Sequence, residues 1–141
     1  MDLSNLQSTE RAVEILSPGK KEPIGVRVHL LHIDDPKLKK IRRQIQDEKS
    51  RLESRGKYFK SDDLEQNNFA LGFAAMTGWE WYNPTGGEKD KGYDAEEHAN
   101  WKGDKNPPFT KKIAYEIFET LPWFLDQIGS EVSDSESFFL R

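Results

Sequence analysis

At 141 residues with 35% apolar and 33% charged residues, the chain suits one domain with a modest core and a strongly ionic surface. Zero Cys excludes disulfides, thiolate metal sites and thiol nucleophiles, and no apolar run approaches the roughly 20 residues that span a bilayer. The net charge of −4 conceals a division: residues 1 to 60 hold 14 Lys and Arg against 9 Asp and Glu, whereas residues 61 to 141 hold 7 against 16. Two surfaces of opposite sign are expected, suited to docking on a partner or on copies of the chain itself.

Residues 1 to 10 are polar and read as a flexible arm, without the apolar core of a signal peptide, which makes the cytoplasm, or an assembly made there, the expected location. Two strands follow, Val13 to Leu16 and Ile24 to Ile33, joined by a turn with Ser17, Pro18 and Gly19. Val26, Val28 and Leu30 share one face of the second strand; Arg27, His29 and Leu31 share the other. Next comes the strongest helix. Asp35 is placed as N-cap, Pro36 at the first helical position, and Gly56 as the stop. Leu38, Ile41, Ile45 and Leu52 draw one narrow apolar stripe, and eight Lys and Arg fill the other faces.

A second helix is expected from Ser61, with Asp62 and Asp63 where the helix dipole favours acids. Its Phe69, Phe73 and Met76 form an apolar ridge, widened by Leu64, Leu71 and Ala75, and Gly78 is read as its stop. Trp79 and Trp81 alternate with Glu80 and form, with Gly78, a structural corner packed on the helix ends. Residues 83–106, rich in Gly and charge, read as an exposed hairpin or loop. Thr110 then caps a helix carrying Ile113, Ile117 and Leu121, which Pro122 breaks or kinks. Leu125, Ile128 and Val132 continue the stripe, and residues 133–141 form an acidic tail ending in Phe138, Phe139 and Leu140. The expected fold is α+β: a small N-terminal β-hairpin, a mainly helical body over residues 11–132, and a protruding hairpin or loop in the second half.

Few residues suggest chemistry. His29 and His32 stand near Asp34 and Asp35, but positions three apart in a strand point to opposite faces. His98 beside Asp94, Glu96 and Glu97 lacks the glycine-anchored spacing of a calcium loop, and reads as a solvated acidic turn. "PTGGEK" lacks the GK[ST] ending of a phosphate loop. No catalytic residue, metal or cofactor is assigned. The basic helix, residues 36–55, with Lys39, Lys40, Arg42 and Arg43, offers a possible contact surface for nucleic acid. Its interleaved Asp47, Glu48 and Glu53 make a solvated or partner-facing helix the favoured reading.

The order of these signals resembles a group of small proteins from the tail gene clusters of long-tailed bacteriophages, the tail assembly chaperones. The resemblance is carried by "EPIGVRVHL", "DPKLKKIRRQIQDEKSRL", the helix into "GFAAMTGWEW", then "FTKKIAYEIFETLPWFLDQIGSEV" and "SESFFLR". It covers residues 12 to 141 as a pattern, without a diagnostic motif. Two features depart from it: a longer insert between Trp81 and Phe109, and Lys where Asn usually follows the Thr-led turn. The resemblance implies a non-catalytic protein that coats the helical tape-measure protein before the tail tube assembles, with self-association. Trp123, Phe124, Phe138, Phe139 and Leu140 are the expected partner-binding residues, since they make more aromatic surface than a short helix pair buries. A structural virion protein of the tail or head, and a small DNA-binding regulator using the basic helix, are the alternatives.

Overall fold

The computed structural model describes residues 11–85, 98–133 and 138–139. Among these, two strands, β1 (Arg11–Leu16) and β2 (Pro23–Leu30), precede two helices, α1 (Pro36–Ser54) and α2 (Ser61–Ala75). A third strand, β3 (Met76–Trp81), leads to α3 (Lys111–Thr120) and α4 (Pro122–Val132). The fold is α+β, an antiparallel sheet in the order β1-β2-β3 packed on the helices.

The N-terminal hairpin forms as its pattern dictates, closed by a turn in which Gly19 and Lys21 both have positive φ. Ile15, Val26, Val28 and Leu30 are all buried. β2 stops at Leu30 rather than Ile33, because the next amide, that of Leu31, donates to the Ala75 carbonyl at the end of α2.

The corner after α2 differs more from the sequence reading. Met76 belongs to a strand, and Gly78 lies inside that strand instead of ending a helix. The cause is pairing with β2, where Val26 meets Trp81, Arg27 meets Glu80, Val28 meets Trp79 and His29 meets Gly78. A segment that local pattern reads as the end of a helix is claimed by the open edge of a distant strand. The expected hairpin is therefore a three-stranded sheet. Gly25 makes the join possible: its φ is +96°, and a Cβ there would overlap the Tyr82 carbonyl and stand 2.8 Å from the Ala99 Cβ.

The helices carry their expected ends. The Asp35 carboxylate accepts from the Lys37 amide at 2.9 Å, with Pro36 in the first turn. At the other end of α1, Gly56 has φ +71°, its amide donates to Glu53 and that of Lys57 donates to Leu52, a Schellman closure. Thr110 caps α3 through the Ile113 amide. Leu121 is both the C-cap of α3 and the N-cap of α4, so Pro122 starts a new helix instead of kinking one.

Phe69, Leu71, Ala75 and Met76 pack with Ile117, Phe118, Phe124, Leu125 and Ile128 in one core, with Phe73 half-buried at its margin. α4 approaches α2 closely where Gly72 lies under the Leu125 side chain. Of the expected 83–106 insert, residues 86–97 lie outside the described residues. Its far end is exposed at residues 102–106 but anchored through Trp101. Trp101 and Asp104 exchange backbone hydrogen bonds of 2.8 and 3.0 Å around Lys102 and Gly103, both of positive φ, and the Trp101 indole donates to Glu116 of α3.

Candidate functional site

The C-terminal aromatic residues do not form one exposed cluster. Phe124 is 1% exposed and touches Phe118 and Trp123, which makes it a core residue. Trp123 is half-buried beside it. Phe138 is 4% exposed and belongs to the same core, although Ser133, the last described residue before it, ends the run of α4. Phe139 is half-buried, and Leu140 lies outside the described residues.

Phe138 and Phe139 wall an open groove of about 470 Å³ whose other lining residues include Arg42, Arg43, Ile45 and Leu71. The Arg42 guanidinium stands 5.7 Å from the Phe138 ring centre, within cation–π range. Phe138 and Phe139 meet edge to face at 5.1 Å. The Phe139 ring occupies the place where any Cβ at position 129 would point, so only Gly129 admits it. A glycine inside a helical pattern is a signal of close approach, and "DQIGSEV" carries that signal.

A second groove, of about 430 Å³, lies between α1 and the first turns of α2, with Ile45, Leu52 and Phe59 among its apolar lining and Glu48 and Asp63 on its rim. The two grooves share Ile45 and run along the same helix. α1 is consequently covered along a thin seam: only Leu38 is fully buried. Of the possible basic contact surface, Lys39, Lys40 and Arg43 are exposed, whereas Arg42 is half-buried against the tail. Arg51 is held by Glu48 at 2.5 Å, which keeps that carboxyl below its usual range.

The Trp corner is a structural joint. Trp79 and Trp81 lie on the core face of β3, edge to face at 5.7 Å, and the Trp79 indole donates to the Pro107 carbonyl at 2.8 Å. From there ring contacts of 5.0 to 6.4 Å run through Phe109, Phe73, Tyr115, Phe69 and Phe118 to Phe124. The opposite face of the sheet is polar. Glu14, Arg27 and Glu80 lie in one cross-strand row, with Arg27 bridging both acids at 2.7 and 3.4 Å. Tyr82 donates to Glu14, and Arg27 stacks over the Tyr82 ring at 5.3 Å. Burial, and then the hydrogen bond to Glu14, push the Tyr82 phenol up to about 12.

His29 pairs with Glu80 at 2.8 Å, while His32 faces Asp34, so the two imidazoles serve different neighbours. His98 contacts the Ala99 carbonyl; Asp94, Glu96 and Glu97 lie outside the described residues. Among the described residues no group of three His, Asp or Glu side chains converges as a metal site would require. None of their helices is long and apolar enough to cross a membrane. Comparisons with protein-family models, with curated proteins and with solved structures find no match to this chain.

Proposed function

We propose that this chain is a non-catalytic tail assembly chaperone of the long-tailed phage kind, acting in the host cytoplasm. Its groove on α1 and α2, walled on one side by Phe138 and Phe139, takes an apolar face of a helical tail component, foremost the tape-measure protein. The observation that carries the reading is the packing of Phe138 and Phe139: an aromatic-bearing segment is already held under Arg42 beside a groove lined by Ile45 and Leu71. An amphipathic helix presenting large apolar residues on one face offers the same chemistry. Ile45 and Leu71 of the groove and the half-buried Trp123 are the proposed contacts; Phe124 serves the core.

Co-expression with the tape-measure protein provides the test. The intact chain is expected to keep that client soluble and to co-purify with it, and Trp123→Ala is expected to weaken capture at least about tenfold, in the range of an interface anchor. Failure to bind any tail component overturns the reading. Mass spectrometry of purified particles separates a chaperone, absent from them, from a structural protein of the tail or head.

A further inference from the structure

We infer that the Phe138–Phe139 pair is an intramolecular ligand, a placeholder in the client groove that a client must displace. The seat is built for it. Phe138 is 4% exposed under the Arg42 guanidinium, and Phe139 occupies the space that Gly129 leaves by lacking a side chain. Phe138 closes the edge of the core, whereas Phe139 stays half-buried and walls an open groove of about 470 Å³ together with Ile45 and Leu71.

The tether favours docking in cis. Phe138 follows Ser133 by five residues, a reach of at most about 17 Å from the end of α4. Short tethers give effective concentrations on the order of millimolar, so even a weak intrinsic affinity keeps the pair in place. Asp134 and Glu136 lie in that tether and are opposite in sign to Lys39, Lys40 and Arg43 on α1. Docked tail and docked client are mutually exclusive, and the tail lowers apparent client affinity by the fraction of chains in which the groove is free. This regulatory sense rests on the chaperone reading; the docking itself does not.

The test uses the full chain and no client. A fluorescent peptide with the sequence SDSESFFLR is titrated into wild type and into Phe138→Ala/Phe139→Ala. Saturable binding to the double variant is expected, at least about tenfold tighter than to wild type, whose own tail competes. Adding Arg42→Ala or Gly129→Ala to the double variant is expected to weaken it again. No saturable binding at about 5 mM peptide overturns the inference, since that lies at the top of the effective concentration the tether supplies. Should the double variant lose its cooperative melt, amide exchange decides. In full-length Gly129→Ala and Arg42→Ala the amides of Phe138 and Phe139 should exchange at least about tenfold faster than in wild type, with those of α2 and β2 unchanged. Equal rates overturn it. Since neither measurement involves a tail component, a failed co-expression experiment and a failed docking experiment remain distinct results.

Discussion

Single residues here do most of their work at the joints between elements. Trp79 is one: its ring meets Trp81 and Phe109, and its indole closes on the Pro107 carbonyl. Because the ring is half-buried, Trp79→Ala is expected to cost about 2 to 4 kcal/mol, near the lower end of aromatic truncations, with chemical denaturation as the measurement. Tyr82 gives a prediction in pH. Its phenol stays protonated to about 12 in the fold, above the ordinary 10, since burial and Glu14 both disfavour the phenolate. A pKa raised in the folded state means that the unfolded chain loses its proton first. The contribution of Tyr82 is thus complete below pH 10 and is lost as pH rises through 12. Wild type should therefore lose stability more steeply than Tyr82→Phe across that window, and parallel curves would exclude the effect.

Between elements, α4 holds the free edge of the sheet. The Gln127 side chain accepts from the Leu16 amide at 2.9 Å and donates to the Leu16 carbonyl at 2.7 Å, taking the place of a fourth strand beside β1. Gln127→Leu leaves both backbone groups without that partner and is expected to cost about 1 to 3 kcal/mol, with faster amide exchange at Leu16 as its specific sign. Exchange that rises equally throughout the sheet would deny Gln127 this local part. The contrast with α1 says what was legible in the sequence. Asp35, Pro36 and Gly56 mark that helix by rules acting within a few residues, and each does its expected task. The stripes of α3 and α4, and the buried face of β2, follow from periodicity alone. Gln127 meeting Leu16, Gly25 admitting Tyr82 and β3 joining β2 depend on residues 46 or more apart in sequence, which no local rule reaches. Composition leaves the aromatic tail free to fold back or to meet a partner; Gly129 and Arg42, the residues that hold it, stand on two different helices.

At the scale of the whole molecule, folding brings together the basic first half and the acidic second half. Arg11 reaches Glu131, Arg27 reaches Glu80, and Arg42 covers Phe138 of the acidic tail. Positive charge is left on the outer face of α1, where Lys37, Lys39 and Lys40 are exposed and line neither groove. That separation allows the two modes of binding to be told apart in one variant. Because all three side chains are exposed, Lys37→Glu/Lys39→Glu/Lys40→Glu should change stability by no more than about 0.5 kcal/mol per site. If the client is held by the apolar groove, capture of the tape-measure protein should persist in the triple variant and tolerate salt. The driving force there is removal of apolar surface from water, which salt does not screen. A duplex-binding α1 behaves in the opposite way. Its affinity would fall linearly with the logarithm of salt concentration, by about one unit for each phosphate contacted, and the triple variant would lose it. Client capture across a salt titration and a duplex mobility shift, both made with wild type and the triple variant, compare the two directly. Salt-resistant client capture by both chains, with no duplex shift, is the outcome expected of a chaperone. Abolition of client capture by the charge reversal would move the partner site from the groove to the outer face of α1.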